Sequence, residues 1–206
     1  MASQPLPIAV LVSGAGTNLQ ALIDTVHRRE VEIVAVASSK DGVRALQRAR
    51  ASGIQTAVFS RSRYPDRVAR DLALADWLEA AGARLIVLAG YMELLSEAFL
   101  NRFEGAVINV HPSLLPAFPG LHAVEQAIAC GVKVFGVTIH FVDSGVDTGP
   151  IIAQSAIELE DARDPAEVLE LLHPIEHRLL IDVVRRCAAG SVKIGAGGGD
   201  RVLRSG

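Results

Sequence analysis

The chain has 206 residues, 50% of them hydrophobic, and a formal net charge of −3, which fits one domain with a sizeable core. The sequence pI near 6.1 and the 4% aromatic content leave neither a basic footprint nor a stacking surface for nucleic acid. No apolar run approaches a membrane span and the polar start is too short for a signal peptide, so a soluble, cytoplasmic chain is expected.

Residues 8–12 form a short continuous apolar run, the pattern of a strand buried on both faces. Ser13-Gly14-Ala15-Gly16-Thr17-Asn18 follows, and Leu19, Leu22, Ile23 and Val26 then recur at helical spacing. Strand, glycine loop and helix place backbone N–H groups where an anion can dock. A dinucleotide site wants a third glycine where Leu19 stands. It also wants an acid closing the second strand, whereas residues 31–37 close on Ser38-Ser39-Lys40. The Gly-Lys-Ser/Thr of a triphosphate loop is missing too. A monophosphate on the loop and a plain tight turn are the readings left.

The alternation continues with a helix over 43–52 stopped by Gly53, a strand over 56–59, and a longer helix over 65–81 entered at Pro65 and ended by Gly82. Arg67 falls in the first turn, where a cation opposes the helix dipole. An anionic ligand nearby or plain surface exposure would each account for it. Residues 85–89 are another buried strand, leaving through Gly90-Tyr-Met92-Glu93-Leu94-Leu95, whose apolar members read by themselves as core.

The next segment, Gly105-Ala-Val-Ile-Asn109-Val-His111-Pro112, opens as a strand and stops at the proline. Side chains alternate across a strand, so Asn109 and His111 share one face. An amide that donates two hydrogen bonds beside an imidazole suits attack on a carbonyl. The same pair can also simply cap the strand end. A helix over 122–130 and a strand over 132–141 follow, with Thr138 and His140 on the face opposite Val137 and Ile139. Cys130 and Cys187 lie far apart in helix-like apolar contexts, so two buried free thiols are expected.

Residues 143–149 form a loop with two glycines and two carboxylates, and a strand starts at Ile151. The last helix begins at Asp164-Pro165-Ala166-Glu167, an N-cap, N1 proline and capping-box acid. Leu169, Leu172, Leu180, Val183 and Cys187 form its apolar stripe, with Glu176 at the centre unless Pro174 kinks it away. His173 and His177 lie four apart without a third ligand and read as structural, so no metal is expected. Residues 1–190 are expected as a single domain and 191–206 as a loosely held tail.

Asn109-Val-His111-Pro112-Ser113-Leu-Leu-Pro116, with Asp147 downstream in Val142-Asp-Ser-Gly-Val-Asp147-Thr-Gly149-Pro150, resembles the folate-dependent formyltransferases. The likeness runs from about Ile8 to Glu176. It implies a Rossmann-like α/β fold, a mainly parallel open twisted sheet with helices on both faces. It also implies 10-formyltetrahydrofolate as formyl donor and transfer through a tetrahedral intermediate. Asn109 and a protonated His111 would hold the oxyanion, with Asp147 beside His111.

Gly16, Thr17 and Asn18 match the family motif that holds the phosphate of glycinamide ribonucleotide, and Glu176 a position that binds its ribose. The implied reaction is therefore formylation of that ribonucleotide's amine, in purine biosynthesis. On the folate side the resemblance points to Arg67, Met92, Leu94, Leu95 and Asn109. Glu93 stands where the family carries arginine, and a carboxylate aimed at the folate glutamyl tail would repel it.

A formyltetrahydrofolate hydrolase is the alternative within the superfamily, normally with a regulatory domain ahead of a first strand that here begins at Ile8. A methionyl-tRNA formyltransferase would need a further C-terminal domain and a basic surface. Outside the superfamily stand a folate- or nucleotide-binding module without turnover and a nicotinamide-dependent reductase. The partners expected are small-molecule substrates, with no nucleic acid or membrane, in a monomer or homodimer.

Overall fold

In the computed structural model, which describes residues 4–194, seven strands form one sheet. They are β1 (Leu6–Val12), β2 (Val31–Ser38), β3 (Gln55–Val58), β4 (Leu85–Leu88), β5 (Val107–His111), β6 (Val134–Phe141) and β7 (Ile151–Glu158). The spatial order is β3-β2-β1-β4-β5-β6-β7. The first five strands run parallel, while β6 pairs antiparallel with β5 and β7 antiparallel with β6.

The helices are α1 (Thr17–Thr25), α2 (Arg44–Ala51), α3 (Arg67–Ala80), α4 (Glu97–Arg102), α5 (Ala123–Cys130) and α6 (Pro165–Ala188). Strand alternation splits the core in two. Val10, Val87, Ile108, Val110 and Ile139 pack with residues of α1, α2, α5 and α6. Leu11, Ile86, Leu88 and Val107 pack on the other face with Leu74 and Leu78 of α3 and Phe99 of α4. Strands covered on both faces need apolar residues at every position, which is why β1 and β4 read as unbroken runs.

Several expectations need correction. The third helix starts at Arg67 rather than Pro65, because the Asp66 side chain caps it by accepting from the Ala69 N–H at 2.8 Å. The short helix α4 adds an element that the sequence pattern does not announce. Cys130 is exposed, since it ends α5 at the solvent side before Gly131. Cys187 is buried, and burial pushes its thiol up to about 12. Pro174 leaves α6 continuous, so Glu176 stays buried on the stripe. The segment expected as a tail begins with Val192 buried and Ile194 packed on the core, while residues 195–206 lie outside the described residues. No helix among the described residues is long and apolar enough to cross a membrane.

Candidate active site

β5 ends where the sheet changes direction, and its alternation turns Asn109 and His111 to the face carrying α3 and α4. The antiparallel ladder sets Asn109 opposite His140 and His111 opposite Thr138. The turn after His111 is pinned to the neighbouring strands. Thr138 Oγ1 donates to the Ser113 carbonyl at 2.7 Å and accepts from the Leu115 N–H at 3.1 Å. Gln154 of β7 donates to the Leu115 carbonyl at 2.9 Å. Gly136 of β6 makes the close approach possible, since a Cβ there would lie 2.5 Å from Leu114 Cδ2.

Because β6 runs against β5, its exit lies at the far end, where the Val142 N–H bonds the Val107 carbonyl at 2.9 Å. The 143–149 loop must turn back toward the site, and Asp147 takes φ +54° in doing so. Its carboxylate then accepts from the Gly120 N–H at 2.8 Å and from Asn109 Nδ2 at 3.3 Å. His111 Nδ1 lies 3.3 Å away and His140 Nε2 3.4 Å away. Burial opposes charge on Asp147. Hydrogen bonds from His140 and the Gly120 N–H, together with attraction to His111, nevertheless hold its carboxyl below the ordinary value.

The other His111 nitrogen, Nε2, lies 2.9 Å from the Phe118 carbonyl. A ring flanked by a carboxylate and a carbonyl has an acceptor for a proton on each nitrogen. His140 is a site residue that sequence reasoning missed. It is buried, with Nδ1 2.8 Å from the Phe141 carbonyl and Nε2 3.3 Å from Asn109 Nδ2. Its place on the polar face of its strand was readable. Its pairing with Asn109 was not, because that depends on strand register.

The glycine loop closes the other end of the site. Gly16 has φ +72°, and α1 starts at Thr17 with no side-chain cap, so its first-turn N–H groups have no partner from a capping side chain. Asn18 Nδ2 donates to Glu176 Oε2 at 2.9 Å across the α1–α6 contact, while Asn18 Oδ1 is buried without a partner. Burial raises the Glu176 carboxyl above its ordinary value, against the hydrogen bond from Asn18 and the pull of His173. Ser13 joins this loop to the next wall. Its hydroxyl accepts from the Met92 N–H at 3.1 Å and lies 2.8 Å from Ser39 Oγ.

A cavity of about 90 Å³ lies beside Asn109, His140 and Asp147, walled by Tyr91, Glu93, Leu94 and Leu95. A wider groove of about 480 Å³ shares Leu94, Leu95 and Val146 with it and reaches Arg67. Arg67 is exposed, and Met92 lines neither space, pointing out at 60% exposure. Glu93 is paired: its Oε2 lies 2.9 Å from Arg70 Nη1. The structure thus brings Asn109, His111 and Asp147 into contact, and Asn18 onto Glu176 beside Gly16 and Thr17. It sets Arg67, Glu93, Leu94 and Leu95 around the cavities and leaves the Met92 side chain apart.

Residues 6–184 match the family model described as formyl transferase. The chain belongs to the formyl transferase family. It is 40% identical over 181 residues to the phosphoribosylglycinamide formyltransferase of Bacillus subtilis (strain 168), covering 86% of this chain and 92% of that protein. It is 42% identical over 198 residues to the trifunctional purine biosynthetic protein adenosine-3 of Drosophila pseudoobscura pseudoobscura. That match takes in 94% of this chain but spans only 14% of the fly protein. Among solved structures, glycinamide ribonucleotide transformylase 1 of Symbiobacterium toebii agrees with a TM-score of 0.92 at 40% identity, covering 99% of this chain and 96% of that one. The sheet expected from the sequence is therefore the fold of this formyl transferase. Among its described residues no group of three His, Cys, Asp or Glu side chains is placed to hold a metal. His173 and His177 stack with ring centroids 6.4 Å apart.

Proposed function

We propose that this formyl transferase moves the formyl group of 10-formyltetrahydrofolate to the amine of glycinamide ribonucleotide, a step of purine biosynthesis. The observation that carries the reading is the contact of Asn109, His111 and Asp147 beside a two-part cavity, with the glycine loop and Glu176 at the site's other end. The relatives' names support glycinamide ribonucleotide as the formyl acceptor.

The formyl donor supplies an electrophilic carbonyl, and the residues do the rest. The narrow inner cavity suits a flat ring, the wider groove a flexible tail, and Arg67 at the groove's edge suits the tail's carboxylates. Unpartnered first-turn N–H groups of α1 suit the ribonucleotide's phosphate. Glu176 and the free Asn18 Oδ1 are acceptors for ribose hydroxyls. Asn109 Nδ2 and His111 Nε2 donate to the oxygen that gains charge during attack, an effect worth about 3–4 kcal/mol for a well-placed donor. To do so, His111 must trade its Phe118 carbonyl for the substrate oxygen. Asp147 stays ionised near neutral pH and lies against His111 Nδ1, and the imidazole can pass a proton to the leaving nitrogen.

The test is to mix the protein with 10-formyltetrahydrofolate, with and without glycinamide ribonucleotide, and follow tetrahydrofolate. Release that requires the ribonucleotide is the expected result. Release at the same rate without it would replace the transferase with a hydrolase, and no release in either mixture would leave a binding site.

A further inference from the structure

We infer that Arg70 is a positioning residue for the formyl donor, clamping the 91–96 wall of the inner cavity through Glu93. The inference rests on the folate reading proposed for the site. Arg70 lies in α3 and is 1% exposed, yet it carries a charge. A buried cation is tolerated only when its donors are matched, and here the matches converge on one segment. Nε and Nη2 bond Asp71 Oδ1 at 2.9 and 2.7 Å. Nη1 bonds Glu93 Oε2 at 2.9 Å, and Nη2 also donates to the Leu94 carbonyl at 3.1 Å. The remaining oxygen of Asp71, itself fully buried, accepts the Ser96 N–H at 2.6 Å.

Two consecutive residues of one helix thereby hold Glu93, Leu94 and Ser96. Glu93 and Leu94 line the inner cavity and Leu94 and Ser96 the groove, while Arg70 and Asp71 line neither. The anchored backbone also keeps Leu94 57% exposed at the cavity mouth. Leu94 shares the groove with exposed Val68 and Val146, and an apolar patch of this kind makes sense where an apolar ligand covers it. A planar guanidinium with five fixed donors can bridge two carboxylates and a carbonyl at once, and an ammonium cannot copy that geometry. Arg70 thus acts on the donor through the wall, without touching it.

The test compares Arg70→Lys, Glu93→Ala, Glu93→Gln and the double variant Arg70→Lys/Glu93→Ala, each checked by thermal melting. Calorimetric titration with tetrahydrofolate and steady-state kinetics with both substrates are then measured. Arg70→Lys and Glu93→Ala are expected to raise the donor KM about tenfold, since both break the Arg70–Glu93 link, a charge-assisted hydrogen bond. The kcat and the ribonucleotide KM should stay within about twofold. Glu93→Gln keeps an acceptor for Nη1 and restores most of the donor affinity. The double variant should be no worse than the worse single one, because both changes break the same link. An unchanged donor KM, equal losses for both substrates, or additive effects would overturn the clamp. If Arg70→Lys does not fold, the contrast of Glu93→Ala with Glu93→Gln still decides. A wild-type chain that binds no tetrahydrofolate overturns the folate reading and the clamp with it, whereas binding that no variant alters overturns the clamp alone.

Discussion

Replacing Gly16 with alanine probes the glycine loop at its tightest point. Gly16 precedes α1 with φ +72°, and a Cβ there would lie 2.5 Å from Ala45 Cβ and 2.8 Å from Ala45 Cα. The left-handed backbone costs alanine about 1–2 kcal/mol. The clash is with helix α2 itself, which no side-chain rotation relieves, and overpacking of this kind adds about 1–3 kcal/mol. Gly16→Ala should therefore cost roughly 2–5 kcal/mol in all, a large share of a typical domain's stability of about 5–15 kcal/mol. Gly14→Ala is the control, since a methyl group there would meet nothing within 4 Å beyond its own chain neighbours. It should stay within about 0.5 kcal/mol of the parent. Urea unfolding followed by circular dichroism gives both numbers, provided the slope is unchanged. A parental midpoint for Gly16→Ala, or equal losses in the two variants, would refute the steric account of this loop.

His111→Ala and Asp147→Asn should each lower turnover by roughly a hundredfold or more while still unfolding cooperatively, as loss of a group that moves or supports the proton predicts; activity within a few-fold would remove them from the mechanism. Because the Asp147 carboxyl is held below its ordinary value, the stability it contributes is present above that ordinary value and lost as pH falls through the lowered one. Asp147→Asn should therefore flatten the acid limb of a Tm-against-pH curve, and an unchanged limb would count against the pairing. Glu176 has the opposite sign. Its carboxyl is raised, so its contribution is present below the ordinary value and lost as pH rises through the raised one. Without ligand, Glu176→Gln should melt above the parent at neutral pH and level with it in acid, while raising the ribonucleotide KM; a variant less stable at neutral pH would show that the charge is well compensated.

The strands were legible because a sheet covered on both faces demands apolar residues at every position, and β1 and β4 supply them. Asn109 and His111 were legible as a pair because a period of two is the simplest rule a strand obeys. The gaps at the site have one physical origin, which is partners set by tertiary geometry. His140 showed its face but not its neighbour, since the Asn109–His140 register exists only once β5 and β6 pair. Asp147 had no local pattern, because a carboxylate in a glycine-containing loop reads as a turn residue, and only the resemblance singled it out. Glu93 looked like a charge aimed at a ligand tail, whereas its partner Arg70 lies 23 residues earlier on a helix. The six residues of α4 are too few to display a helical period.

The bond between Asn18 and Glu176 spans 158 positions of the chain, and this has a consequence for biosynthesis. At the usual pace of about 5–20 residues per second, a ribosome needs roughly 8–30 s to travel from one codon to the other. Through that interval α1 has no α6 to cover it, so Leu19 and Leu22 wait for the helix that will bury them. The glycine-loop end of the site is then completed only when α6 emerges and docks, by the same event that hides the nascent chain's apolar helix.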